Sequence, residues 1–263
     1  MNNEHLIWKT QIGDGPIVAT AIHDGHNLRP EVAEIMVLSD NVQLREEDPF
    51  TGEWTSIADT RIIGLHSRFE VDLNRPREKA VYRKPEDAWG LKIWKNELPT
   101  EILTRSLSEY DAFYKEAHRI FTGLEQQFGR FVVYDLHSYC YRRGGPNGPP
   151  ADPEQNPEIN IGTGTMDRKL WAPLIDRFID ELRAYNYFSR KLDVRENVKF
   201  KGGNFSRWIH ENFPQSGCSL SIEIKKFFMD EWTGEPDRKQ LKEISLALQS
   251  TIPGILQALK GLK

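Results

Sequence analysis

The sequence predicts an α/β fold: a single domain with a mainly parallel or mixed central sheet and helices on both faces. Two observations carry this. Short apolar runs alternate along the chain with long segments of helical periodicity. The apolar runs also end in polar turns, as strands of a parallel sheet do where they deliver loops to a ligand. At 263 residues, the chain suits one such domain and can bury a sizeable core.

The elements follow in order. Residues 17–22 (IVATAI) form a short apolar run, and the polar stretch HDGHNLRP follows, so a buried strand ends in a loop. Residues 31–38 have helical spacing. Residues 69–73 (FEVDL) alternate apolar and polar, which predicts a half-buried strand with Glu70, Asp72 and Asn74 on one face. Residues 100–128 are the longest helical candidate. Leu103, Leu107, Tyr110, Phe113, Tyr114 and Ala117 recur at threes and fours, and Gly129 stops the run.

Residues 131–136 (FVVYDL) read as another buried strand, closed by His137-Ser138-Tyr139. Residues 142–165 are rich in Gly and Pro and read as one long irregular segment, the kind that is functional or disordered in a compact domain. Thr165 or Asp167 is placed to cap a helix running to about Tyr185. Residues 219–227 alternate as a strand. Residues 239–262 form a last amphipathic helix, with a bend expected near Pro253. No internal repeat is present.

Composition narrows the function. Apolar residues make up 38% and charged residues 28%, which is globular. The net charge of −4 offers no basic surplus for nucleic acid. The two cysteines, Cys140 and Cys218, form no CxxC pair, so a reducing compartment is expected. The amino-terminal stretch MNNEHLIWKT lacks a basic start and an apolar core, so no secretion leader is expected. No apolar run reaches membrane-spanning length. The expectation is a cytoplasmic protein that acts on a small molecule, with its oligomeric state left open.

Four places in the chain could carry chemistry. His23 and His26 follow the first strand at a spacing of three, which one metal ion can use; two loop histidines would look the same. His137 ends the second strand, as a third ligand or as a half-buried histidine. In residues 68–75 (RFEVDLNR), a carboxylate could orient a ligand imidazole. Asn74 and Arg75 could grip a substrate carboxylate. A surface ion-pair ladder is the plain alternative. Glu223 sits in an apolar strand, so burial would raise its pKa and suit it to general-base work, unless it pairs with Lys225 or Lys226.

In this order these residues resemble the N-formylglutamate amidohydrolase family. The likeness rests on the IHDGH segment, on EEDPFT at residues 46–51, on SRFEVDLNRP at 67–76, on DLHSY at 135–139 and on IEIKKFFMDE at 222–231. It is similar also to the wider zinc carboxypeptidase and aspartoacylase group. The resemblance implies one amidohydrolase-like domain over residues 1–263, hydrolase-like and zinc-carboxypeptidase-like in fold. It implies one zinc ion held by His23 and His137, with Asp48 or His26 as the middle ligand. Asp72 would orient His23 and Arg68 would polarise the scissile carbonyl. Asn74 and Arg75 would hold the α-carboxylate, and Glu223 would be the base.

The activity implied is removal of an N-acyl group, formyl first, from a small acidic amino acid such as N-formyl-L-glutamate. A zinc carboxypeptidase acting on a peptide and a catalytically silent binding homologue are the alternatives. Two features depart from the family pattern. Ile22 stands where a proline is usual before the first histidine. Aromatic, glycine-rich sets at 141–145, 202–205 and 230–234 suggest a subgroup with its own substrate.

Overall fold

The computed structural model describes residues 6–262. Residues 1–5, part of the stretch expected to carry no secretion leader, lie outside the described residues. Among the described residues, seven strands form one mixed sheet. They are β1 (Trp8–Gln11), β2 (Ile17–Ala21), β3 (Thr60–Gly64), β4 (Phe131–Tyr139), β5 (Ile159–Gly162), β6 (Val194–Glu196) and β7 (Gly217–Lys225), in the order β1-β3-β2-β4-β7-β5-β6. The central run β3-β2-β4-β7 is parallel. β1 joins β3, and β5 joins β7, antiparallel.

The centre of the sheet is buried on both faces, which its composition explains. All nine residues of β4 (FVVYDLHSY) are buried, and β-branched and aromatic side chains suit a pleated surface covered from both sides. α4 (Thr100–Phe128) and α6 (Asn204–Asn212) cover one face, with Phe113, Phe121, Phe131 and Phe205 at the centre of that layer. α5 (Ala172–Ala184), α7 (Arg238–Ser250) and α8 (Ile252–Gly261) cover the other, around Trp171, Phe178 and Ile244. Short helices α1 (Pro30–Ile35), α2 (Asp40–Glu46) and α3 (Thr51–Trp54) fill the connection from β2 to β3. No helix among the described residues is long and apolar enough to cross a membrane.

α4 spans the predicted residues and stops at Gly129, whose φ of 75° lies in the left-handed region that glycine enters without strain. Four expectations change. Residues 69–73 form no strand. They lie in consecutive turns and are buried at every position, so alternation there does not mark a half-exposed face. β5 lies inside the segment read as wholly irregular; four residues are too few to show a period between Gly and Pro. The fifth helix starts at Ala172, although Asp167 Oδ1 does accept from the backbone of Lys169 and Leu170 one turn earlier. The last helix is two helices separated at Thr251. Pro253 then falls in the first turn of α8, where its missing N–H costs little.

Candidate active site

The carboxyl ends of β2, β4 and β7 deliver the site. β4 and β7 pair in register so that His137 stands opposite Glu223. β2 pairs with β4 through Thr20 and Asp135, and His23 follows two residues after β2 ends. The chain then passes through α2 and returns, and Asp48 N donates to His23 O at 2.9 Å. That backbone contact brings the Asp48 carboxylate between the two histidines.

His23, Asp48 and His137 are each buried, and one ligand atom from each lies within 4.8 Å of the others. His137 Nδ1 is 3.0 Å from Asp48 Oδ2, and His23 Nδ1 is 3.4 Å from the same oxygen. The far side of each ring is fixed. His23 Nε2 donates to Asp72 Oδ1 at 2.7 Å. His137 Nε2 lies 3.2 Å from Asp135 Oδ1. Both rings therefore turn Nδ1 inward. Ser138 Oγ donates to Asp48 Oδ1 at 3.1 Å. Two imidazole nitrogens and one carboxylate, each oriented by a further polar group, are a donor set that could hold one divalent ion such as zinc.

The electrostatics agree with that chemistry. Burial by itself would raise Asp48, but hydrogen bonds from His137 and His23 hold it far below the usual carboxylate range. Burial would lower His137, but Asp135 and then Asp48 outweigh it and raise it well above the ordinary histidine value. The cluster thus holds protons where a cation would satisfy the same lone pairs.

Glu223 behaves differently. Burial raises its carboxyl to about 7, and nearby His137 only partly opposes this. Neither lysine considered as its partner engages it. Lys226 Nζ donates instead to the backbone oxygens of Arg45 and Glu47, each at 2.6 Å, and Lys225 forms no ion pair with Glu223 among the described residues.

Residues 67–75 wrap beneath His23 and bind through Asp72. Arg68 donates to Asp72 Oδ2 at 2.7 Å and to Glu46 O at 3.3 Å, while its Nε has no hydrogen-bond partner among the described residues. Tyr82 also donates to Asp72 Oδ2. Burial would raise Asp72, but Arg68 and His23 hold it well down. Asn74 Oδ1 accepts from Phe205 N at 2.9 Å, which pins the amide. Arg75 Nε lies 3.7 Å from Asp72 Oδ2, and the guanidinium lies 5.6 Å and 5.9 Å from the ring centres of Tyr82 and Trp89. The other acid of this stretch points elsewhere: Glu70 pairs with Arg29 and His66, away from the histidine pair.

His26 is not brought to the cluster. Its side chain is 42% exposed, and Nδ1 pairs with Glu47 at 2.7 Å. His23, Asp48, Arg68, Asn74, Arg75 and Glu223 instead share one cavity of about 630 Å³ with His137. Sequence reading gave no role to Asp135, Tyr82 or Trp89. The first was legible in principle, since Asp135 and His137 are two apart on a strand and share a face. The others reach the site only through the fold.

A family model described as N-formylglutamate amidohydrolase matches residues 15–229. An N-formylglutamate amidohydrolase from Ralstonia eutropha JMP134 superposes with a TM-score of 0.72 at 18% identity, covering 97% of each chain. A gene product from Agrobacterium tumefaciens gives 0.70 at 18% identity, over 98% of this chain and 97% of its own. At that identity, the two structures bear on the fold. No curated protein matches the chain.

Proposed function

The chain belongs to the N-formylglutamate amidohydrolase family, and we propose that it is a zinc-dependent amidohydrolase that removes an N-acyl group, formyl first, from a small acidic amino acid such as N-formyl-L-glutamate. The reading takes residues 1–263 as one such domain. The convergence of His23, Asp48 and His137 in a cavity shared with Glu223 carries it. His23, Asp48 and His137 would hold the ion. When bound, zinc makes water more acidic and a carbonyl more electrophilic.

The remaining steps belong to the chain's own side chains. Glu223, with a carboxyl near 7, takes a proton from water and returns it to the leaving nitrogen. Arg68 has a donor to spare at Nε and stabilises negative charge developing on the acyl oxygen. Asn74 and Arg75 grip the α-carboxylate and so align the amide for attack. Asp72 ties these roles together, since it touches His23, Arg68 and the Asn74 backbone.

The test is formate release from N-formyl-L-glutamate by protein as purified, chelated and resupplied with zinc, with metal content measured alongside. Activity that disappears with the metal and returns with it is expected. Zinc-loaded protein that releases no formate would refute the reading. N-acetyl and dipeptide substrates run in parallel separate an amidohydrolase from a peptidase.

A further inference from the structure

The wall of the site cavity is more positive than the chain as a whole. Seven of its side chains are Lys or Arg and three are carboxylates, while the whole chain carries −4. Such a local field concentrates anions. Most of these cations are already engaged. Arg68 pairs with Asp72, Arg143 with Glu46, and Lys226 with two backbone oxygens.

Lys199 differs. Its Nζ donates to Asn156 Oδ1 at 2.6 Å and lies 5.2 Å and 5.7 Å from the ring centres of Tyr139 and Phe200. All three neighbours are neutral, and Lys199 forms no ion pair among the described residues. Lys199 is exposed, and partial burial and then Arg143 lower its pKa, the direction expected of an ammonium with no carboxylate beside it.

The backbone also places Lys199 beside the substrate grip. Lys199 N donates to Asn160 Oδ1, and Asn160 Nδ2 donates to Phe200 O, both at 2.8 Å. Asn160 is the cross-strand partner of Glu223. Four residues on, the same loop closes on Asn74, since a Cβ on Gly203 would lie 2.3 Å from that amide. One loop therefore carries an uncompensated ammonium into the cavity and packs against Asn74.

We propose that Lys199 binds a second carboxylate of the substrate, the one on the amino-acid side chain, while Asn74 and Arg75 hold the first. This rests on the function proposed above. Lys199 is then a determinant of preference for an acidic over a neutral residue.

The experiment compares N-formyl-L-glutamate with N-formyl-L-glutamine in the wild type, Lys199→Met and Lys199→Arg. One hydrogen bond to a charged group supports a preference of roughly 10–100-fold for the acid in the wild type. Lys199→Met should bring it to within about 3-fold through KM for the acid, with the amide unaffected, and Lys199→Arg should keep most of it. A preference that survives in Lys199→Met, or equal losses on both substrates, overturns the proposal. Calorimetric binding of the free amino acids L-glutamate and L-glutamine to the same three proteins needs no catalysis. A protein that hydrolyses neither substrate yet binds glutamate through Lys199 refutes the amidohydrolase reading alone. One that discriminates between the two equally well without Lys199, or binds neither, refutes the assignment of Lys199.

Discussion

His23 Nε2 lies 2.7 Å from Asp72 Oδ1, and that one contact sets which nitrogen of the ring faces Asp48. The carboxylate is fully buried, and its other oxygen is taken by Arg68 and Tyr82, so it has little freedom to turn. The ligand atom of His23 is therefore chosen by a residue that does not itself join the cluster.

Asp72→Asn should weaken zinc binding by about 10–100-fold, the usual cost of losing a partner behind a ligand histidine. Asp135→Asn should act in the same direction through His137. Competition with a chelator of known affinity measures both. Unchanged affinity in the two variants would mean that the rings are not held from behind.

Glu223→Gln should retain the metal and lose at least ~100-fold in turnover, a typical contribution for a general base. Metal content and formate release measured on one sample check this. Near-normal turnover with full metal would remove Glu223 from the reaction.

Trp89 sits at the cavity mouth in a left-handed conformation, with φ of 54°. Its ring centre lies 5.0 Å from the Arg68 guanidinium and 5.9 Å from that of Arg75. Cation–π contacts of this kind contribute roughly 0.5–2 kcal/mol. Trp89→Ala should raise KM about 3- to 20-fold with a smaller effect on kcat, and Trp89→Phe should recover part of it. An unchanged KM would leave the ring with no part in positioning the arginines.

His210 gives a pH-dependent stability with a definite sign. Its Nε2 accepts from Ser219 N at 3.0 Å, so the neutral ring is the one the fold needs. Burial lowers its pKa from 6.5 to about 4. Above 6.5 the ring is neutral in both folded and unfolded chains, and its stabilisation is complete. As pH falls from 6.5 towards 4, only the unfolded chain takes the proton, and about 3 kcal/mol is lost. Asp24, raised to about 6 mainly by burial, works in the opposite sense, so the comparison must be with a variant. His210→Gln keeps an acceptor but cannot titrate. Denaturant unfolding at several pH values should show a shallower acid loss in the variant, and parallel curves would contradict the assignment.

Much of the scaffold was legible in the sequence. Periodicity over 29 residues defines α4 because every turn repeats the same demand for burial. His23 and His137 were legible as groups at the ends of apolar strands, which needs only local order. Glu223 was legible as a lone acid in an apolar strand, and its raised pKa follows from the burial that strand implies.

The tertiary structure decided what depends on partners distant in sequence. Residues 69–73 alternate like a strand, yet they coil, and Asp72 and Glu70 meet buried partners far away in sequence, His23 and Arg29, that no local pattern announces. The family resemblance leaves His26 and Asp48 as equal candidates for the middle ligand. A backbone hydrogen bond from Asp48 to His23, across 25 positions, brings the carboxylate inward, while Glu47 draws His26 outward. Sequence fixes which side chains can bind an ion, because that is a property of each residue; which of them meet is a property of chain closure, and closure is set by the packing of the whole sheet.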